Sequence, residues 1–277
     1  MVTSLLLIIM IAKLHFMGTG AAMVNDHYHT SFIIGVGRER ILVDAMGGYD
    51  IKQALQKNNK TIFDINALFI SHGHLDHSLG FLWLVRLLWH QIAHQKPMPK
   101  DYVLSVLCSS QLKMNLVKAT RALCPEQYNV AKPYLHFLDL REGENIKLQE
   151  VMLTPLDLRS KKEEQFGFLL HSGKLKIGFS GDEPLRDFHH GLLKGVDVLI
   201  HDSFSLEADE VKFGSRQKHH STAFDAAKNA AKIKAKTLVL THIADENPRR
   251  KERFTHEAAS VFQGKVYVPD DGEIIIL

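Results

Sequence analysis

Cysteine is nearly missing: Cys108 and Cys124 are the only two in 277 residues. Two thiols cannot build a disulfide framework, and no Cys-x-x-Cys pair offers a zinc ribbon. Both read as small buried hydrophobes rather than nucleophiles. Proline is sparse at 8 residues, and no Pro/Ser-rich stretch marks a linker. Neither charge sign dominates, since 34 Lys+Arg against 31 Asp+Glu leave a net charge of +3. Charge alone therefore does not mark a nucleic-acid or membrane binder. Long hydrophobic runs are also lacking. The conspicuous one, residues 5–12, is far short of the roughly 20 residues that span a bilayer. No Lys or Arg precedes it and no small-residue cleavage site follows, which argues against a signal peptide. The expectation is a cytoplasmic chain without a membrane segment, starting at Met1 or Met10.

An apolar fraction of 45% and a charged fraction of 23% are those of a globular chain with a sizeable core. What the chain has in abundance is histidine, 17 in all. Short β-rich runs recur and stop at a His or Asp: Ile41-Leu42-Val43 at Asp44, Ala67 to Ser71 at His72, Ile177 to Gly181 at Asp182, Val198-Leu199-Ile200 at His201-Asp202, and Leu238 to Thr241 at His242. Continuous apolar runs of this length read as strands buried on both faces. Polar residues just past the ends of such strands are where α/β folds place their sites. Between the runs, helical patterns cover 51–57, 79–91 and 222–235. The last carries an alanine face (Ala223, Ala226, Ala227, Ala230, Ala231), with Ser221 or Thr222 as N-cap. A first strand over 11–17 ends at Gly18-Thr19-Gly20. A layered α/β domain follows.

The strongest signal is Ser71-His72-Gly73-His74-Leu75-Asp76-His77. At this composition chance produces three His and one acid in such a window in fewer than about one chain in a hundred. Imidazole and carboxylate suit Zn, Mn or Fe, and the spacing lets one segment serve two metal positions.

His72-x-His74-x-Asp76-His77 resembles the defining motif of the metallo-β-lactamase superfamily. Gly18-Thr19-Gly20-Ala21-Ala22 and Thr30-Ser31-Phe32 are similar to its opening strands, Phe179-Ser180-Gly181-Asp182 to its bridging-aspartate segment, and Leu240-Thr241-His242 to its last ligand segment. The resemblance implies the αββα four-layer sandwich as a single domain over 1–277, with two pseudo-symmetric halves, roughly 10–150 and 151–277. It implies that His72 and His74 hold a first metal, that Asp76, His77 and His242 hold a second, and that Asp182 bridges them. Asp44 would orient a ligand histidine. Zinc, one or two ions, is the implied cofactor, with Mn or Fe as alternatives. The implied reaction is hydrolysis by a metal-activated water, with Asp76 as proton acceptor.

Leu199-Ile200-His201-Asp202 and His219-His220-Ser221-Thr222 further resemble ribonuclease Z, the tRNA 3′-end endonuclease, and its phosphodiesterase relatives. That implies an RNA or other phosphodiester substrate, tRNA processing and a homodimer. His220 at a helix N-terminus is well placed for an anion, and there it could protonate a leaving oxygen, oriented by Asp202.

Three departures qualify the match. The family's histidine ahead of the Phe166-Gly167-Phe168 segment is missing, leaving Asp157 as a substitute ligand or the first site incomplete. His242 is followed by Ile243-Ala244-Asp245-Glu246, acidic before it turns basic at Arg249. No long Gly- and Lys-rich insertion is present to grip tRNA. The alternatives are a superfamily hydrolase of a lactone, thioester or β-lactam, and a catalytically weak protein that binds a metal, ligand or partner.

Overall fold

The computed structural model describes residues 12–277, so the apolar run 5–12, apart from its last residue, and the choice of start codon lie outside the described residues. Two mixed seven-stranded sheets form the centre. The first carries β1 (Ala12–Gly18), β2 (Ser31–Val36), β3 (Glu39–Val43), β4 (Ala67–Phe69), β5 (Leu104–Cys108) and β6 (Leu135–Asp139) in sequential order. The second carries β7 (Ile146–Lys147), β8 (Met152–Asp157), β9 (Phe166–Ser172), β10 (Leu175–Phe179), β11 (Val198–Asp202), β12 (Thr237–Thr241) and β13 (Lys265–Tyr267). The last strand, β14 (Ile274–Ile276), returns to the first sheet and pairs antiparallel with β1.

Each sheet joins antiparallel hairpins to a parallel run, β3 to β6 in one and β10 to β13 in the other. The apolar runs read from sequence fall in these parallel strands, which are covered on both faces. Against the first sheet pack α1 (Asp50–Lys57), α3 (Gly80–Ala93), α4 (Ser110–Leu123) and α5 (Pro125–Ala131), with the single turn α2 (Leu75–Ser78) leading into α3. Against the second pack α6 (Asp187–Leu193), α8 (Ala223–Ile233) and α9 (Arg250–Ala259); the short α7 (Glu210–Phe213) lies in the connection before α8. The layers are helix, sheet, sheet, helix, the sandwich expected from the motif. No helix among the described residues is long and apolar enough to cross a membrane.

The alanine face of α8 is buried at Ala223, Ala226, Ala227 and Ala230, and these small side chains let the helix lie close on β11 and β12. Thr222 caps it, its hydroxyl accepting from the Asp225 amide at 3.2 Å. Caps of this kind contribute about 1 kcal/mol.

Between the sheets lies a core of phenylalanines. Phe32 meets Phe179 edge-on at 5.4 Å, and Phe69 meets Phe168 edge-on at 4.9 Å. Phe69 stands three residues before His72, and Phe179 three residues before Asp182. The rings that join the sheets therefore also set the distance between the strand ends that bear the site. Phe168→Ala should destabilise the fold by about 3–5 kcal/mol, read as a lower denaturant midpoint with an unchanged slope.

Candidate active site

Most of the polar groups singled out in the sequence converge at the carboxyl ends of β3, β4, β10, β11 and β12. After β4 the chain runs extended through His74 and then coils into α2, where the His74 carbonyl accepts from the amides of His77 and Ser78. This turn gathers the three imidazoles, with the ring of His72 4.5 Å from that of His74 and 4.3 Å from that of His77. The turn is held down by Gly80, whose Cα sits so close to the Ala45 carbonyl that an added Cβ would lie 1.7 Å from its oxygen.

Asp44 is fully buried and adopts φ +58°, a conformation that costs a non-glycine residue free energy and that the surroundings must impose. Its Oδ1 accepts from the Ser71 amide at 2.8 Å, and its Oδ2 lies 2.8 Å from His77 Nδ1. With Nδ1 donating to a carboxylate, His77 presents Nε2 as a bare lone pair, the carboxylate–histidine arrangement of metal sites. That Nε2 is buried without a hydrogen-bond partner, 3.2 Å from Asp76 Oδ2 and 3.3 Å from Asp182 Oδ2. His242, also at positive φ, has Nδ1 equally unpartnered, 3.1 Å from Asp182 Oδ1. His72 Nε2 is 2.8 Å from His74 Nδ1 and 3.8 Å from Asp182 Oδ2.

Asp182 is thus the hub, one oxygen toward His72 and His77 and the other toward His242. Ligand atoms around one tetrahedral ion with bonds of 2.0–2.1 Å stand about 3.3 Å apart. The observed separations bracket that value, and the orphaned nitrogens are the groups a cation would satisfy. The residues present fit a metal ion, and Asp182 belongs to more than one group of side chains able to hold one.

The electrostatics agree. Burial and then neighbouring His77 hold His72 well below the ordinary imidazole value, and burial pulls His242 down to about 4. Both stay neutral, as metal ligands must. Burial works against ionisation of Asp182, but His242 and His77 outweigh it and hold the carboxyl well below its usual range. At His77 the order reverses: Asp182, Asp76 and Asp44 overcome burial and demand a positive charge, which a cation supplies as well as a proton does.

Beside this cluster stands His220, at the start of the segment that caps α8. Its ring stacks on Phe204 at 4.4 Å with 11° between planes and faces His242 at 5.2 Å. Its Nδ1 lies 3.4 Å from the fully buried Asp202, whose other oxygen accepts from the Ser221 amide at 2.6 Å. Burial raises the Asp202 carboxyl to about 7 against the pull of His220. Burial lowers His220, but Asp202 more than compensates and leaves it above the ordinary value. The facing atoms, Asp202 Oδ1 and His220 Nδ1, are buried and have no other partner. From His220 a cleft of about 430 Å³ runs past Arg186, Arg216, Lys228 and Lys232, with Glu183 and Asp225 the acids on its wall.

Asp157 does not join the site. Its carboxylate turns to Arg159, accepting from the Arg159 amide at 2.8 Å, because strand alternation aims it outward. The next residue, Leu158, points inward and packs on Gly181, beside Asp182. Two residues near the site carry no signal in the sequence. Phe204 lies in a connection without a recognisable pattern. Glu163 sits in the Lys161-Lys162-Glu163-Glu164 block, whose charges read as solvated loop.

The model of the family described as Anti-Pycsar protein Apyc1 matches residues 12–267. The chain belongs to this family. Apyc1-family membership accompanies broader similarities. Ribonuclease Z of Pyrobaculum calidifontis is 26% identical over 294 residues, which cover 96% of this chain and 98% of that protein. Ribonuclease Z of Halorubrum lacusprofundi is 24% identical, covering 95% and 96%. Among solved structures, the short form of human tRNase Z superposes with a TM-score of 0.72 at 20% identity, covering 95% of this chain and 98% of that one. The metallo-β-lactamase-fold protein YhfI of Bacillus subtilis superposes with 0.74 at 16%, covering 97% and 100%. This Apyc1-family chain is a ribonuclease Z-like, metal-dependent hydrolase of metallo-β-lactamase fold.

Asp44 reaches the donor set at second hand, through His77 directly and through the Ser71 hydroxyl, which donates to Asp44 and lies 2.9 Å from His72 Nδ1. Asp44→Ala should therefore weaken metal binding about 10- to 100-fold, measured by chelator competition, with Asp44→Asn intermediate.

Proposed function

We propose that the chain hydrolyses phosphodiesters at a dinuclear centre, with His72, His74 and Asp182 on the first metal and Asp76, His77, His242 and Asp182 on the second. The observation that carries this reading is His220, paired with Asp202 and standing between the ligand cluster and a cleft with four basic side chains. Metal ions held here supply Lewis acidity, polarising phosphoryl oxygens and acidifying a water. Zinc fits the mixed imidazole–carboxylate set, and manganese or iron are compatible with it.

The protein's own groups do the rest. Arg186, Lys228 and Lys232 draw the anionic diester along the cleft, and the phosphorus settles between Asp182 and His220. Water adds to phosphorus as the bond to the leaving oxygen breaks. Asp76 takes the water's proton, and His220 gives its proton to the departing alkoxide. Asp202, 3.4 Å from His220, supports the charge of the imidazole before that transfer.

A lactone, thioester or β-lactam is uncharged at the reacting bond and has no need of a basic cleft, which places the anionic diester ahead. The cleft is short and the tRNA-gripping insertion of ribonuclease Z is missing from the sequence. These features favour a compact diester over tRNA processing. A cytoplasmic homodimer belongs to the same reading. The apolar groove of Leu79, Leu82, Trp83 and the largely exposed Leu123 supports the dimer.

Turnover of bis(p-nitrophenyl) phosphate beside that of a precursor tRNA tests the proposal, with metal content determined on the same sample. His220→Ala should lower kcat by about 10²–10⁴-fold while metal content stays as in the unaltered chain. A rate unchanged in His220→Ala, or no turnover of either substrate by the metal-loaded protein, would remove it.

A further inference from the structure

The first metal position holds one imidazole fewer than its family pattern, and Asp157 faces away from it. What lies there instead is Glu163. The loop 158–165 between β8 and β9 closes on itself through the Leu158 amide to the Gln165 carbonyl and docks on the histidine loop through the Phe166 amide to the Ser71 carbonyl at 2.9 Å. Its tip folds back over Gly73. Glu163 Oε2 accepts from the Gly73 amide at 3.1 Å, and Oε1 stands 2.9 Å from His74 Nε2, the ring nitrogen across from the Nδ1 that faces His72. Gly73 makes room for this: a Cβ there would lie 2.6 Å from Glu163 Oε2. One ligand atom each from His72, His74 and Glu163 falls within 4.8 Å of the others.

We infer that Glu163 is a ligand of the first metal, filling the vacancy left by the absent histidine. The inference rests on the dinuclear reading above. The Gly73 amide fixes one carboxylate oxygen, leaving the other to point at the ion. With Asp182, both positions then present two nitrogens and two oxygens. Exchanging a neutral imidazole for a carboxylate adds a negative charge beside the first ion and makes its ligand set harder. That shifts its preference away from zinc and toward manganese or iron. It also explains how a chain lacking that histidine retains the rest of the site: the carboxylate restores the ligand number from a different point of the same loop.

The test is titration of the metal-free full chain with zinc and with manganese against a chromophoric chelator, together with the visible spectrum of the cobalt-loaded protein. The unaltered chain should bind two equivalents. Glu163→Ala should weaken one of them by more than about 100-fold, beyond the loss an outer hydrogen-bond partner produces, and leave the other in place. Glu163→His should restore two equivalents, move the weaker site's preference toward zinc and alter the cobalt bands. Two equivalents unaffected by Glu163→Ala would overturn the inference, as would a single equivalent in the unaltered chain that survives it. A loss of only 10- to 100-fold with unaltered cobalt bands also overturns it, making Glu163 a support for His74. An unaltered chain that binds no metal removes the dinuclear reading and this inference together, and its titration shows that first.

Discussion

Around Asp182 the protein packs groups that cannot stay together unaided. Three imidazoles approach one buried carboxylate to within 3.1–3.8 Å, with Asp76 a further carboxylate on His77. Nitrogens of His77 and His242 have no partner. Buried and unpaired polar groups cost free energy, and positive charge placed in their midst turns that cost into binding. The rest of the architecture serves to hold these groups at this separation. The phenylalanines between the sheets clamp the ends of β4 and β10, Gly80 lets α3 approach the Asp44 turn, and Asp44 aims His77.

The outer ring of the site works on the same principle at lower density. Asp202 is buried 3.4 Å from His220, and Phe204 stacks on the imidazole beside the cluster. The cleft beyond collects basic side chains where a diester would enter. The ribonuclease Z-like hydrolase activity therefore belongs to the core of the site.

Much of this is legible in the order of the residues. The histidine motif, Asp182, His242, Asp44 and His220 each stand at the end of a short apolar run or at a helix cap, and those signals are local. The strands over 41–43, 67–69 and 177–179 and the alanine-faced helix have a periodicity that adjacent residues reveal. Glu163 and Phe204 leave no such trace. Glu163 acts on residues about ninety positions away, and its own neighbours are lysines that read as solvent-facing. Asp157 misleads for a similar reason. It is adjacent in sequence to the place where a ligand is missing, but strand alternation turns it outward and gives the inward position to Leu158.

The sequence by itself determined the superfamily, the layer order and most of the donor set, because ligands clustered within six residues and strands ended by His or Asp are contiguous patterns. Only the tertiary structure decided which carboxylate lies against His74, which oxygen of Asp182 meets which histidine, and where the basic side chains gather. Those depend on the approach of two sheets and of the loop 158–165 to the histidine turn. Such distances are set by packing between segments far apart in the chain, and no local pattern encodes them.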